Sequence, residues 1–311
     1  MTLLADTSFD WFHIAQLGIE SLRFGLLIAL IALGYTMVYG IVELINFAHG
    51  DLFMLGSCLS LTIVVGGLAE GWPPAVTIAL ALVLVPLFCA GLNLGVDRAV
   101  YKPLRNAPKL APLVSAIGVS FVFQNVGLFW EGPQDVNFPD LLPPENVLGE
   151  GANVYLTWKT IAIVAVTLPL MVALTYFVKF TTLGKAMRAT AQNPIAARLM
   201  GIDVDRVIGA TFLIGGALGG FGSVVYCLTV NTVSYQMGFQ AGLYAFTAAV
   251  LGGIGNIPGA VLGGLLIGVI RGFGSEYVGE TWVPALVFAV LIAVLVFRPS
   301  GLLGSRVKEK V

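Results

Sequence analysis

Between the first two long apolar runs lies Glu43-Leu-Ile-Asn-Phe-Ala-His-Gly-Asp51, which holds two carboxylates, an imidazole and an amide within nine residues. Ionisable groups in a bilayer are costly and usually mark a pathway or a relay. On a helix Glu43, Asn46 and Gly50 share a face, and Gly50 is placed to end a helical turn. Two readings of the segment follow. In one, Glu43, Asn46, His49 and Asp51 line a translocation pathway; in the other, they form an interfacial loop that meets water and headgroups. No metal site is expected, since His13 is the only other histidine and one imidazole beside one or two acids is a poor zinc site. Gln124 and Asn125 form a second polar pair, suited either to bonding neighbouring helices or to contacting a polar solute.

Other chemistry is excluded. The sequence has no GxxxxGK[ST] loop for nucleotide phosphates, and no HExxH or GxSxG motif. The chain is therefore expected to be neither an ATPase nor any other enzyme, and to hold no cofactor.

The best-defined local element is Asn193-Pro-Ile-Ala-Ala-Arg-Leu-Met-Gly201. Asn193 is a good N-cap, Pro194 suits the first helical position, and Gly201 is a natural residue just past a helix end. The segment predicts a short helix carrying Ile195, Leu199 and Met200. A helix this short is marginal alone in water, so it must dock, either on the bilayer and the chain's own helices or on a cytoplasmic motor protein.

The elements that position these groups are membrane spans. The chain has 311 residues, of which 58% are hydrophobic and only 11% charged, with a mean hydropathy of +0.93. Soluble domains carry about a quarter charged residues, too many for this chain to match. Runs free of Asp, Glu, Lys and Arg occur at Phe24–Val42, Leu52–Ala69, Gly71–Val96, Leu110–Trp130, Thr160–Val178, Val207–Ile270 and Thr281–Phe297. About 20 apolar residues suffice to cross a bilayer. The longest run is broken by the polar Asn231–Gln236 and by the turn-forming Gly252–Gly259, leaving pieces at about 207–230, 239–254 and 258–274. The predicted fold is one all-α domain, residues 1–311: a polytopic transmembrane helical bundle of about eight or nine spanning helices, some short or broken.

Charge orients the bundle. Asp97–Lys109, Lys179–Arg206 and the tail after Phe297 are rich in Lys and Arg, whereas Glu131–Lys159 has five acids and one lysine. The positive-inside rule places the basic segments in the cytoplasm, with four crossings between Arg206 and Arg298, the N-terminus outside and the C-terminus inside. The N-terminal stretch has no signal-peptide pattern.

Gly255, Gly259 and Gly263 are spaced by four, as are Gly264, Gly268 and Gly272. That spacing clears one helix face for close backbone packing, within this chain or against another membrane subunit. Cys58, Cys89 and Cys227 each lie in an apolar run and read as small buried filler.

The order of several motifs adds a resemblance. Gly34-Tyr-Thr-Met-Val-Tyr-Gly40 with Ile45-Asn-Phe-Ala-His-Gly50, Ser115-Ala-Ile-Gly118, Gly184-Lys-Ala-Met-Arg-Ala189, Ala245–Gly255 and Arg298-Pro-Ser-Gly-Leu-Leu-Gly304 are similar to the high-affinity branched-chain amino acid permeases of ABC transporters, over residues 17–304. The resemblance implies an inner-membrane permease subunit that imports branched-chain or other hydrophobic amino acids. It further implies a second related permease, two cytoplasmic ATPases that bind ATP and magnesium, and a periplasmic binding protein. The loop 179–206 would then couple to an ATPase through Arg188, Ala189, Asn193, Pro194, Ala197, Leu199, Gly201 and Asp203. It departs from the general importer pattern Glu-Ala-Ala-x-x-x-Gly, because Ala189-Thr-Ala191 lacks the Glu and Ile195 stands at the Gly. Specificity would reside mainly in the binding protein. A relative that moves urea, short amides or a wider set of amino acids is the nearest alternative, and a stand-alone channel or proton-coupled carrier is a further one.

Overall fold

The computed structural model describes residues 11–42, 46–105, 107–108, 110–149 and 153–304. Glu43 lies outside them, as do Lys109, Arg306, Lys308 and Lys310 of the basic segments. The architecture is a helical bundle. In chain order it contains α1 (Trp11–Val42), α2 (Ala48–Ala69), α3 (Pro74–Val96), α4 (Lys102–Leu104), α5 (Leu110–Glu131), α6 (Trp158–Phe180), α7 (Thr182–Gln192), α8 (Pro194–Leu199), α9 (Val204–Val230), α10 (Met237–Gly252), α11 (Ile257–Tyr277) and α12 (Val283–Phe297). Eight helical stretches are long and apolar enough to cross a membrane, and α10 is a shorter apolar helix.

The sixteen residues of α10 reach about 24 Å at 1.5 Å per residue, less than the roughly 30 Å of a bilayer core. The predicted break at Asn231–Gln236 is real, and it is partly extended. Asn231 ends α9 with φ 58°, and β1 (Val136–Asn137) pairs antiparallel with β2 (Thr232–Val233). The chain then turns back into the bundle, so α10 begins beside the first turn of α2.

Two sequence boundaries shift. α3 does not stop at Asp97: a π-helical turn, Asp97–Tyr101, carries it into α4. Arg98 and Lys102 therefore extend a span rather than sit in a loop. Gly50 lies inside α2 rather than at the end of a turn. The reason is packing: the backbone of α10 fills the space a side chain would need, and a Cβ on Gly50 would sit 2.7 Å from the Gly242 Cα.

The bundle's centre is α1, α2 and α9, while α5, α6 and α12 turn most of their surfaces outward. Outward Val, Leu and Phe side chains suit lipid or a partner helix and would not suit water. Small residues set the central contacts. A Cβ on Gly264 would meet the Ala29 Cα at 2.7 Å, and one on Gly268 would meet the Gly25 Cα at 2.6 Å, so α11 lies against α1 almost backbone to backbone. Gly259 and Gly263 face α10 instead, against Gly252 and Ala248. Gly255 is not on a helix: it sits in the turn before α11 with φ 80°, against Gly40. The glycine stripes thus pack within this chain.

The chain's last described segment closes α10. The N–H groups of Leu302 and Leu303 donate to the Leu251 and Gly252 carbonyls at 2.8 and 3.0 Å, satisfying acceptors that a helix end leaves open.

Candidate functional site

A cavity of about 1200 Å³ opens where α10 begins. Ser120 and Gln124 of α5 form one wall, Pro284 and Phe288 of α12 another, and residues 232–236 run along the rim. Tyr35, Phe47, Phe121, Tyr226, Phe239, Tyr244 and Phe246 make it strongly aromatic. Asp135 also lines it, whereas no Lys, Arg or His does among the described residues. It runs alongside α10 from Met237 to Phe246.

The polar residues of the 43–51 segment take three different places. Asn46 is buried in a knot of side chains, donating to the Asn93 side-chain oxygen at 3.2 Å and accepting from the Tyr101 hydroxyl at 3.3 Å. Asn93 in turn donates to the Phe212 carbonyl at 2.6 Å. This knot ties the start of α2 to α3 and α9. His49 is fully buried against Gly34 of α1 and Gly219 of α9. Its ring meets the edge of Tyr35 at 4.7 Å between centroids, so it stands one ring behind the cavity. Neither imidazole nitrogen makes a hydrogen bond of normal geometry.

Asp51 lies in the first turn of α2, 1% exposed, where a helix N-terminus favours a carboxylate. Its Oδ2 accepts from the Ser120 hydroxyl, and Gln124 donates to the Ser120 oxygen at 3.3 Å. Gln124 and Asn125, adjacent in sequence, separate in space. Gln124 faces the cavity, while Asn125 is exposed and bonds the Phe121 carbonyl of its own helix at 2.8 Å.

At the end of the bundle that carries residues 97–105 and 193–206, the short helix α8 forms as its sequence predicts. The Asn193 side chain accepts from the Ile195 and Ala196 N–H groups at 3.0 and 2.9 Å, Pro194 starts the helix, and Gly201 follows it with φ 82°. The Ala189 carbonyl receives the Asn193 N–H at 3.1 Å, which joins α7 to α8. Arg188 donates to the Val178 carbonyl. Ala197 is buried, and Asp203 caps α9 by accepting the Arg206 N–H at 3.1 Å. Ile195, Leu199 and Met200 are 70, 84 and 82% exposed. The rest of the described chain thus leaves three apolar side chains uncovered on this turn.

Asp205 anchors this end to α3. Arg105 bridges Asp205 at 2.5 Å and Asp97 at 2.7 Å, and Lys102 and Arg198 approach Asp205 at 3.6 and 3.7 Å. Sequence reasoning missed Asn93, Tyr101, Ser120, Arg105 and Asp205, because each acquires its role only from a partner tens of residues away. The placement of Asn93 within an apolar run was the one available signal.

The family described as "Branched-chain amino acid transport system / permease component" matches residues 18–295. The chain is similar to the high-affinity branched-chain amino acid transport system permease protein BraD of Pseudomonas aeruginosa, 40% identical over 305 residues that cover 96% of this chain and 99% of that one. It is also 40% identical over 289 residues to the corresponding permease protein LivH of Escherichia coli, covering 91% and 93%. A probable branched-chain amino acid permease of Methanocaldococcus jannaschii is 26% identical over 295 residues, 89% of each chain. No solved structure matches.

Proposed function

The chain belongs to the family of branched-chain amino acid transport permeases, and from that footing we propose that its solutes are leucine, isoleucine, valine and similar hydrophobic amino acids. It is the membrane-spanning permease subunit of an ABC importer, a multi-pass inner-membrane protein and one component of a larger transporter complex.

The observation that carries the solute reading is the cavity. Its aromatic walls suit an apolar side chain, while Ser120, Gln124 and Asp135 supply a few convergent polar groups. The exposed turn of α8 supports docking of a cytoplasmic ATPase, whose partner copy would dock on a second, related permease. In this reading the ATPases bind ATP and magnesium and the present chain holds no cofactor. Arg188, Ala189, Asn193, Pro194, Ala197, Gly201 and Asp203 shape and brace the docking turn, and Leu199 touches the motor. A periplasmic binding protein delivers the amino acid to the opposite end. The N-terminus is then periplasmic and the C-terminus cytoplasmic.

The test is uptake of labelled leucine, with urea in parallel, in cells deleted for the gene and then complemented. Loss of leucine uptake, restored by the wild type, is expected. Normal leucine uptake with lost urea uptake would overturn the solute class in favour of amides.

A further inference from the structure

Asp51 presents an imbalance that packing alone does not explain. One carboxylate oxygen accepts the Ser120 hydroxyl, whereas the other has no hydrogen-bond partner, although the residue is 99% buried by its 1% exposure. A carboxylate is the costliest side chain to bury half-matched. If the only purpose were to pin α2 to α5, an amide or hydroxyl would do so at lower cost.

The hydrogen-bond directions show where the charge is felt. Gln124 donates to Ser120, and Ser120 donates to Asp51. Both of these bonds run toward Asp51, so Ser120 has no hydrogen left for the cavity and offers it only a lone pair, Gln124 offers its carbonyl beside one remaining amide N–H, and the Asp135 carboxylate adds a further acceptor on the lining. A chain of hydrogen bonds polarised in one sense strengthens its members. The cavity has no basic lining residue among those described, and aromatic faces at Tyr35, Phe121 and Phe246 add their own preference for a cation.

We infer that Asp51, acting through Ser120 and Gln124, makes this wall a receptor for the ammonium group of the solute, so that the permease itself selects for a primary amine. Asp51 is a positioning residue, and Ser120 and Gln124 are the groups that touch the ligand. The inference rests on the amino acid reading above and revises the expectation that selectivity resides mainly in the binding protein.

The assembled transporter, purified without its binding protein, provides the test. Cys58, Cys89 and Cys227 are buried, so Ile117→Cys on the cavity wall, at a residue 39% exposed, serves as the reactive reporter for a maleimide. Three probes separate the charges: leucine, isoamylamine (ammonium without carboxylate) and isocaproate (carboxylate without ammonium). Leucine and isoamylamine are expected to slow labelling, and isocaproate is not. Adding Asp51→Asn should raise the half-protecting concentration of isoamylamine by about tenfold or more, as loss of the charge that polarises Ser120 and Gln124 predicts. Asp51→Glu should restore most of it, which a purely structural role would not require, and Ser120→Ala should weaken protection while leaving Asp51 in place.

Equal protection by isocaproate and isoamylamine overturns the inference, as does protection by none of the probes. A change below about twofold in both Asp51→Asn and Ser120→Ala also overturns it. If leucine uptake by cells depends on the gene while labelling is blind to the ammonium, the ammonium site fails and the transport reading stands.

Discussion

The side-chain amide of Asn93 donates to the main-chain carbonyl of Phe212 at 2.6 Å, joining α3 to the middle of α9. The same residue accepts from Asn46, so one amide holds three elements. Replacing Asn93 by Leu should leave the Asn46 amide donor without its partner inside the bundle and remove the second bond to the Phe212 carbonyl, which keeps its place in the α9 helix ladder. Each buried unpaired group costs about 1–3 kcal/mol. Thermal unfolding of the detergent-purified chain is expected to fall by several degrees, and an unchanged midpoint would remove the knot from the list of stabilising features.

Arg105 and its neighbours differ in burial, and that difference should be measurable. The Arg105 and Asp97 side chains are 13% and 3% exposed, whereas Lys102 and Arg198 are more than half exposed. Arg105→Ala strands the Asp97 carboxylate in the interior, at a cost of about 3–5 kcal/mol. Lys102→Ala and Arg198→Ala should each cost under about 1 kcal/mol. Denaturation of the three variants side by side checks the order.

Gly201 has φ 82° with open space where a side chain would go. The difficulty for another residue is therefore backbone strain and not crowding, worth about 1–2 kcal/mol for an L-residue and more for a β-branched one. Gly201→Val should tilt α8 and lose leucine uptake while the complex still hydrolyses ATP. Parallel uptake and ATPase assays decide, and normal uptake would sink the coupling role of this turn.

Leu199 is 84% exposed at the tip of α8. Leu199→Glu should leave membrane insertion and stability of this chain unchanged, since nothing packs on the side chain, and should sharply reduce recovery of ATPase with an affinity-tagged permease. Equal recovery would show that the motor docks elsewhere.

Gly264 and Gly18 form a matched pair for the packing argument. A Cβ at Gly264 overlaps Ala29 on α1, whereas one at Gly18 meets nothing within 4 Å. Gly264→Leu should force α11 off α1 and abolish folded protein, by overpacking that ordinarily costs about 1–3 kcal/mol and here meets main chain. Gly18→Leu should be tolerated. Size-exclusion profiles of the two variants report the outcome.

Local chemistry made much of the molecule legible in the sequence. Asn193, Pro194 and Gly201 specify a helix start and stop through their own backbones, so α8 could be drawn to the residue. Apolar run lengths gave the spans for the same reason: the bilayer demands a minimum length regardless of neighbours. The glycine spacing gave a cleared face but not its partner, and Gly255 turned out to serve a turn instead.

What the sequence determined by itself is the membrane bundle, its broken penultimate stretch, the capped short helix and, through ordered motifs, the family. These depend on interactions within a few residues or between the chain and lipid. What only the tertiary structure decided is which polar groups meet. Asp51 and Ser120 are 69 residues apart, and Asn46 and Asn93 are 47 apart. Gln124 faces the cavity while its neighbour Asn125 faces out, because a helix turns by about 100° per residue and only the packing of α5 on α2 selects which one points inward.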